Sequence, residues 1–271
     1  MCLLLVVYAT SIVAQDYVSI DNVEQIMYYD YIFCETAGNK ESVKRRLMLL
    51  EIGKNRSLFC SEKEAYSDSL LMVHGGASPQ ATLDIIMPQI KGLQGHDYID
   101  YHVYKNYPQN GNIFFVGSLF GERYVVNEEI NFKWEIQANR DTTILDLSCL
   151  MATTSYGGRD YVAWFAPDVP ISDGPYKFCG LPGLIVRIAD TENEHIFELQ
   201  GARYNVSKPL LFNNNYNNDP KLSPPKYVKS FYESIANRAS EMEAMLIEPN
   251  PELIAKIAGR YKRYNNFIER Y

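Results

Sequence analysis

Apolar and polar residues alternate along most of the chain between Val23 and Tyr204. The period of two is clearest in residues 132–137 and 195–200, as expected for strands with one solvated face. Further strand candidates are residues 26–35, 46–52, 101–107, 113–119, 123–127, 147–155, 161–165 and 184–189. Short connections, among them Gly157-Gly158, predict hairpins and an antiparallel sheet.

Two short helices are predicted inside this strand region. Ser61 and Glu64 have the spacing of a capping box, which predicts that a helix begins there. Ser78-Pro79 predicts the start of a second helix that ends before Pro88. Gly75-Gly76 separates the two helices.

The composition changes after Tyr204. Residues 205–225 are rich in Asn and Pro and lack periodicity, so they are predicted to form a linker. Beyond it, residues 226–271 predict a helical pair interrupted at Pro249, because apolar residues recur at steps of three and four. The two apolar stripes consist of Val228, Phe231, Tyr232, Ile235, Ala239, Met242 and Leu246, and of Leu253, Ile257, Tyr261, Tyr264 and Ile268.

These elements together predict an α+β protein. Its main part, residues 15–204, is predicted to be a mostly antiparallel, curved, half-barrel-like sheet with short inserted helices. The linker at 205–225 and the C-terminal helical pair at 226–271 follow it.

The last predicted helix has a basic face as well as an apolar one. Its apolar stripe favours packing within the protein, as is usual for an amphipathic helix. Peripheral contact of residues 251–270 with an anionic membrane and docking to a partner are the alternatives. The basic residues that suggest them are Lys256, Arg260, Lys262, Arg263 and Arg270.

Residues 1–14 carry no charged side chain and contain an apolar run at 3–7. This segment is too short to cross a bilayer as a helix, and it ends in small residues up to Ala14. It predicts a secretory signal cleaved between Ala14 and Gln15, with a buried N-terminal strand as the alternative. We therefore expect an exported protein that is periplasmic or associated with the outer envelope.

The composition of the 271-residue chain narrows the class of protein. With 46% apolar residues and a formal charge of −7, a globular fold is favoured over disordered, collagen-like and coiled-coil classes. Acidic residues outnumber basic ones by 33 to 26. This balance argues against nucleic-acid binding, because neutralising phosphates requires a basic surface.

Removal of the signal segment leaves four cysteines, Cys34, Cys60, Cys149 and Cys179. An even number in an oxidising compartment allows two disulfides in any of three pairings. Free buried thiols are an equal alternative, because a chain of this length does not need disulfides to be stable. No cysteine has zinc-ligand spacing to a histidine.

Residues 164–188 contain four prolines and three glycines. Each proline fixes its own φ and restricts the residue before it, which lowers the entropy lost on folding. Leu181-Pro182-Gly183-Leu184 predicts a type II turn that leads into strand 184–189. We interpret this stretch as a stiff scaffold that contributes no reactive group.

The hexapeptide at 180–185 reads GLPGLI and resembles the motif of the GLPGLI family of exported proteins from Bacteroidetes-type bacteria. The similarity covers about residues 132–188. It implies an exported, mostly β protein of unknown activity and transfers no catalytic residue. By fold-level analogy it implies an apolar groove like that of periplasmic lipoprotein carriers. The motif positions taken as candidate site residues are Trp134, Cys149, Arg159, Trp164, Pro170, Gly174, Pro175, Gly180, Leu181, Pro182, Gly183, Leu184 and Ile185.

Arg159 and Trp164 are the two candidate ligand contacts among these residues. The Arg159 guanidinium could hold a carboxylate or phosphate ligand bidentately. The favoured alternative is an internal ion pair that joins the hairpin to the proline-rich loop. Trp164 either lines a ligand groove or, as favoured, packs in the core. The ionisable residues near Arg159 in sequence are Asp160, Asp168, Asp173 and Lys177.

The chain has four histidines, His74, His96, His102 and His195. None forms an H-x-x-x-H motif, and ordinary loop histidines are favoured over a metal site built from His96-Asp97 and His102. The glycines at 180–183 precede a strand, so they do not predict a phosphate-binding loop. The sequence therefore predicts no catalytic residue, no metal site and no cofactor.

The favoured function is that of a non-enzymatic envelope protein. It would bind an apolar small molecule or an envelope partner on the concave face of the sheet, with the GLPGLI turn stiffening one rim. An envelope hydrolase, whose catalytic groups meet only in three dimensions, is the alternative.

Overall fold

The computed structural model describes residues 17–74, 79–90, 93, 99–119, 122–245 and 251–271. Several features named above lie outside these residues: the signal segment 1–14 with the following Gln15, Gly75-Gly76, Ser78, His96-Asp97, Leu246 and the helix break at Pro249. The side chains of 79, 82, 83, 238–245, 253, 257, 260 and 261 also lie outside the description. No helix in the described ranges has the length and apolar character needed to span a bilayer.

The described ranges contain thirteen strands that belong to one sheet. They are β1 (Tyr17–Cys34), β2 (Val43–Gly53), β3 (Ser57–Ser61), β4 (His102–Lys105), β5 (Asn112–Leu119), β6 (Glu122–Glu129), β7 (Glu135–Ile144), β8 (Leu147–Tyr156), β9 (Arg159–Ala166), β10 (Leu184–Asp190), β11 (His195–Arg203), β12 (Lys208–Asn213) and β13 (Lys221–Leu222). The strand order is β13-β6-β5-β4-β3-β2-β1-β11-β10-β9-β8-β7, and β12 pairs with β1. The prediction of a mostly antiparallel sheet is confirmed, with a parallel β13–β6 pair as the exception.

Strand β1 organises the sheet because it is long enough to serve three neighbours. Its N-terminal half pairs with β12 and its C-terminal half with β11, while β2 pairs along its other edge. Alternate residues of β1 therefore point into apolar clusters on both faces of the sheet: Tyr29 and Tyr31 into one, and Val23 and Ile26 into the other.

The sheet is open but bends around the larger apolar cluster. Tyr156 at the end of β8 donates to Glu128 of β6 at 2.8 Å, although many strands separate β6 from β8 in the order of the sheet. Trp134, which follows β6, donates its indole N–H to the carbonyl of Cys179 at 2.8 Å. These contacts join distant strands across one core, which requires a curved sheet.

Four α-helices accompany the sheet in the described ranges: α1 (Glu62–His74), α2 (Pro79–Ile90), α3 (Pro224–Met245) and α4 (Pro251–Tyr261). The predicted cap is confirmed, since Ser61 Oγ accepts from the Glu64 N–H at 3.2 Å. Helix α2 continues past Pro88 instead of ending before it. Pro88 has no N–H to donate to the carbonyl four residues earlier, so the last turn of α2 lacks one hydrogen bond.

The C-terminal region differs from the prediction in two places. The segment 205–225 is not an unstructured linker, because residues 208–213 form β12 along β1 and bury Leu210 and Phe212 in the smaller apolar cluster. The Asn run forms a 3-10 helix at Asn214–Asn218, capped by Asn213 Oδ1, which accepts from the Asn215 N–H at 3.0 Å. Tyr264 and Ile268, predicted as the end of a helical stripe, lie beyond the end of α4.

Candidate functional site

The β8–β9 hairpin begins the site. Gly157 (φ +56°) and Gly158 (φ +74°) connect Tyr156 to its cross-strand partner Arg159, which confirms the predicted two-residue hairpin. A Cβ on Gly158 would lie 1.6 Å from the carbonyl oxygen of Arg270. Glycine is therefore needed for the positive φ and for the close approach of the C-terminal end of the chain.

The GLPGLI turn does not have the hydrogen bonding predicted for it. A type II turn would join the Leu184 N–H to the Leu181 carbonyl. Instead, the Gly183 N–H donates to Leu181 O at 2.8 Å, and the Leu184 N–H donates to Val169 O at 3.1 Å. The start of β10 is thus held by the proline-rich loop, and the turn tightens around Pro182 as a three-residue turn.

Buried Lys105 of β4 anchors the proline-rich loop (residues 167–183). Its Nζ donates to Asp173 Oδ1, to the Gly174 carbonyl and to the Phe178 carbonyl, the last at 3.3 Å. Ser57 Oγ donates to the other oxygen of Asp173 at 2.5 Å. One buried ammonium therefore satisfies several loop acceptors, and the loop is fixed by hydrogen bonds as well as by its prolines.

A second buried lysine, Lys177, lies between two carboxylates. Its Nζ is 2.5 Å from Glu128 Oε1 and 2.6 Å from Glu269 Oε1, and Tyr176 Oη donates to Glu269 Oε1. We call these four residues the Lys177 cluster. Burial alone lowers the pKa of Lys177, but Glu269 and Glu128 outweigh it and raise the pKa above its usual value. The ammonium therefore stays charged inside the protein.

Arg159 forms the internal ion pair that was favoured for it, but with other partners. Its guanidinium donates to Asp190 Oδ2 at 2.7 Å and to Glu194 Oε2 at 3.4 Å. It also donates to Asn266 Oδ1 at 2.5 Å and to the Phe267 carbonyl at 2.9 Å. Arg159 thus connects the hairpin with the end of the chain.

Residues 264–271, which we call the C-terminal segment, lie over this part of the sheet. Four consecutive residues of it, 266–269, are buried although they belong to no helix or strand. Tyr161 Oη donates to the Ile268 carbonyl at 3.0 Å, and the Arg270 N–H donates to Gly157 O at 2.5 Å. Its course is fixed by side chains and turns of the β8–β9 region.

A small apolar groove lies beside the C-terminal segment. Its volume is about 50 Å³. A water molecule requires roughly 10–15 Å³, so the groove is larger than a water site and is of a size that suits one small apolar side chain. The lining residues include Tyr31, Phe33, Ile99, Tyr101, Phe267 and Ile268.

The motif residues divide between core and surface. Leu181, Leu184, Ile185 and Cys149 are buried in the larger cluster, together with the backbone of Gly174, Pro175 and Gly183. Trp134 and Trp164 are half-buried against it. Pro170, Gly180 and Pro182 are exposed.

His102 and Asp68 form a separate buried pair below α1. His102 Nε2 and Asp68 Oδ2 are 2.9 Å apart, and Tyr17 Oη donates to Asp68 Oδ1 at 2.7 Å. We call these residues, with neighbouring Glu64, the His102 cluster. Burial lowers the pKa of His102, but the carboxylates, Asp68 foremost, raise it to about 8. His102 is therefore a buried strand residue and not a loop histidine.

A cleft of about 190 Å³ adjoins this cluster. It is lined by apolar residues of α1 and by Glu51, Asp68 and Lys208, of which Lys208 pairs with Glu51. The walls therefore combine apolar side chains with an ion pair that is already made.

Cys60 stands directly across from His102 in the β3–β4 register, as extrapolated from the Phe59–Val103 pair. A Cys–His–Asp set would be a nucleophilic arrangement if the thiol were activated. However, Cys60 is fully buried, and burial together with Glu51 and Asp68 raises the pKa of its thiol well above the usual value. The thiolate needed for nucleophilic attack is therefore disfavoured.

The four cysteines are free and buried, so the disulfide alternative does not apply to this structure. Burial raises the pKa of Cys179 to about 12. These thiols behave as small core residues.

Asp190, Glu192 and Glu194 bring three carboxylates together. Arg159 already binds Asp190, and Arg270 binds Glu192 at 2.9 Å and Glu194 at 2.6 Å. Two guanidinium groups therefore hold the positions that a metal ion would need. His195 lies nearby, with Nδ1 at 2.6 Å from Tyr31 Oη, and burial lowers its pKa well below the usual value.

Sequence reasoning missed Lys105, the buried role of Lys177, and the C-terminal segment. The two lysines lie in segments that read as a strand end and a loop, and their partners are remote in sequence. One signal in the sequence could have pointed to the C-terminal segment. Apolar Phe267-Ile268 and acidic Glu269 follow a predicted helix that is rich in basic residues.

Comparisons with known proteins give a family match for part of this site. A model of a family described as a protein of unknown function (Porph_ging) matches residues 152–187, which include the Gly157-Gly158 turn, Lys177 and the GLPGLI hexapeptide. No curated protein matches the chain.

Two solved structures are similar to the chain. One, described as "Structure of PNGF-II in P21 space group", has a TM-score of 0.50 at 12% identity and covers 78% of this chain and 34% of its own. The other, in the C2 space group, has a TM-score of 0.49 at 11% identity, with 78% and 33% covered. The chain spans about a third of the length of these structures, and the likeness to the first concerns the fold alone.

Proposed function

We propose that this chain is an exported, non-enzymatic binding module with a half-barrel-like sheet, and that it holds an envelope partner at the apolar groove. The observation that carries the proposal is the groove itself, an unfilled apolar space of about 50 Å³ beside Tyr31, Ile99 and Ile268. Such a space suits one anchoring side chain of a partner protein better than a free lipid or other large apolar molecule.

Membership of the GLPGLI family is part of this proposal. Its support is that the matched segment 152–187 contains the hexapeptide 180–185 and the residues that fix the loop around it. Lys105 and Lys177 both form ion pairs that hold the proline-rich loop in place. These ion pairs support a scaffold role for the matched segment, with the GLPGLI turn as a stiff rim.

Site-specific photo-cross-linking tests the binding function. A photoreactive amino acid replaces Ile99 in the groove or, as the control, exposed Thr143 on β7. In the native envelope we expect Ile99 to yield one cross-linked protein that excess unmodified chain suppresses, and Thr143 to yield none. Equal cross-linking from the two positions, or none from Ile99, would contradict the proposal.

The N-terminus of the protein recovered from cells tests export separately. We expect mass spectrometry to find Gln15 as the first residue and fractionation to place the protein in the envelope. An intact Met1 in the cytoplasmic fraction would contradict export.

The hydrolase alternative depends on the Cys60–His102–Asp68 arrangement. The raised pKa of the Cys60 thiol disfavours the reactive thiolate. If the wild-type protein hydrolyses ester or peptide substrates, we therefore expect the Cys60→Ala variant to keep that activity. A complete loss of such an activity with retained folding would favour the hydrolase.

A further inference from the structure

The C-terminal segment is held as a bound peptide would be. Residues 266–269 are buried, yet none of them pairs in the sheet ladder. Their main chain is recognised instead by side chains, since Arg159 donates to the carbonyl of Phe267 and Tyr161 to that of Ile268. Main-chain contacts of this kind give affinity for an extended segment.

Side chains of the segment are also recognised one by one. Asn266 accepts from Arg159 and donates to the Cys34 carbonyl at 2.9 Å. Phe267 packs against Phe231 with ring centroids 4.8 Å apart. Glu269 binds Lys177 at 2.6 Å. Ile268 is buried in the larger apolar cluster beside Phe267. The surface thus selects a carboxamide, two apolar residues and a carboxylate at fixed positions.

Both buried cations of the receptor side have a counter-ion outside the C-terminal segment. Arg159 keeps Asp190 at 2.7 Å and Glu194 at 3.4 Å, and Lys177 keeps Glu128 at 2.5 Å. The Lys177 ammonium also lies 4.8 Å from the centre of the Phe115 ring. Removing the segment therefore leaves no buried cation without a counter-ion, which is the property of a site that can be vacated.

The chain's own segment does not fill this surface. The groove of about 50 Å³ is bordered by Phe267 and Ile268 themselves. A ligand with the same pattern and one larger apolar side chain would bury more apolar area there.

We propose that the surface covered by the C-terminal segment is the site that binds the partner. The partner presents an extended protein segment with a carboxamide, two apolar residues and a carboxylate in succession, and the chain's own end occupies the site in its absence. This proposal rests on the binding function proposed above and names the chemistry of the partner.

Peptide binding to the full chain tests this proposal. The probe is a fluorescent peptide with the sequence of residues 263–271, RYNNFIERY. The receptors are the wild-type chain and a full-length variant with Phe267→Asp and Ile268→Asp, in which the chain's own segment cannot be buried. We expect the variant to bind the peptide about 100-fold or more tightly than the wild type, because the tethered segment competes in the wild type.

A matched peptide controls for specificity. A peptide carrying Ile268→Asp is expected to bind the variant at least about 10-fold more weakly, since a buried apolar contact is lost. A folded variant that ignores the wild-type peptide, or binds both peptides equally, would overturn the proposal. The variant is also mixed with the wild-type chain. A dimer in which the wild-type segment occupies the site of the variant would overturn the proposal, because the occupant would then be a second copy of this chain.

A second design covers the case in which the variant does not fold. A protease site is inserted in the full chain between exposed Lys262 and Arg263, and the folded protein is cleaved. We expect the nine-residue fragment to dissociate and rebind while near-ultraviolet circular dichroism persists. Loss of folding on release, or permanent retention, would contradict the proposal.

The outcomes separate this proposal from the binding function. If the variant binds the peptide but Ile99 yields no cross-link, the site accepts an extended segment and the proposed envelope partner is refuted. A cross-link from Ile99 without peptide binding would refute only the chemistry assigned to the partner.

Discussion

The Lys177 cluster and the His102 cluster are both buried and charged, but they are built differently. In the Lys177 cluster one cation lies between Glu128 and Glu269, and each carboxylate comes from a different part of the chain. In the His102 cluster the acids outnumber a single histidine whose pKa is about 8. The Lys177 ammonium stays charged throughout the physiological pH range, whereas His102 loses its charge as the pH rises through about 8.

This difference separates the roles of the two regions. The Lys177 ammonium holds the proline-rich loop through Glu128 and binds the C-terminal segment through Glu269, and its charge does not change with pH in this range. A histidine cluster contributes stability that depends on pH. The charge pairing on the loop side therefore holds the structure in place, whereas the stability of the α1 side depends on pH.

The largest effect is expected from Lys177→Met. The change leaves two buried carboxylates facing each other, so we expect a loss of about 3–5 kcal/mol in the free energy of unfolding. Chemical denaturation measures it. The control is Lys229→Met, at an exposed i,i+4 pair with Glu233, where the change should stay within about 0.5 kcal/mol. Similar losses from both variants would remove the distinction between the clusters.

A pair of glycine variants isolates the close approach of the C-terminal segment. A Cβ on Gly38 (φ +73°) would have nothing within 4 Å, whereas a Cβ on Gly158 (φ +74°) would collide with Arg270 O. Both changes to Ala incur about 1–2 kcal/mol of backbone strain. We expect Gly158→Ala to cost about 1–3 kcal/mol more than Gly38→Ala in denaturation experiments. Equal costs would mean that the segment does not lie against the turn.

The His102 cluster should make stability depend on pH. The pKa of His102 is raised from 6.5 to about 8, so its contribution is fully present below pH 6.5 and is lost as pH rises through 8. A shift of this size corresponds to about 2 kcal/mol. We expect urea denaturation to show this decrease between pH 6 and 8.5 in the wild type and not in Asp68→Asn. An unchanged decrease in Asp68→Asn would assign it to other groups.

The smallest effect is expected from reductant. Because Cys34, Cys60, Cys149 and Cys179 are free, the melting temperature should change by less than about 1 °C when reductant is added. Thiol titration should find these cysteines only after denaturation, since all are buried. A fall of several degrees would show that a disulfide forms in the protein.

Periodicity predicted β11, because a solvated face imposes a period of two on residues 195–200. The same pattern at 132–137 was misleading, since β7 begins only at Glu135 and residues 135–143 are all exposed. The Gly157-Gly158 hairpin was predictable because both turn residues have positive φ angles, which few residues other than glycine adopt. Strand β12 was not predicted, because Pro209 and the following Asn run read as turn-forming residues, while pairing with β1 decides their conformation.

The site was less predictable than the fold. Lys105, Lys177 and Glu269 look like ordinary surface residues in sequence, because nothing local records that they meet. Their partners lie 68 residues away for Lys105 and Asp173, and 93 for Tyr176 and Glu269. Charges of this kind acquire a role only when the curved sheet brings them together.

Native-state hydrogen exchange of the Arg270 amide tests the central claim most directly. This N–H donates to Gly157 O and reports whether the C-terminal segment is bound. Because Arg159 and Lys177 keep partners without the segment, we expect this amide to exchange by a local opening of lower free energy than that of the Ile185 amide in β10. Exchange of both amides at the same free energy, only through global unfolding, would contradict the claim that the segment is a separable ligand.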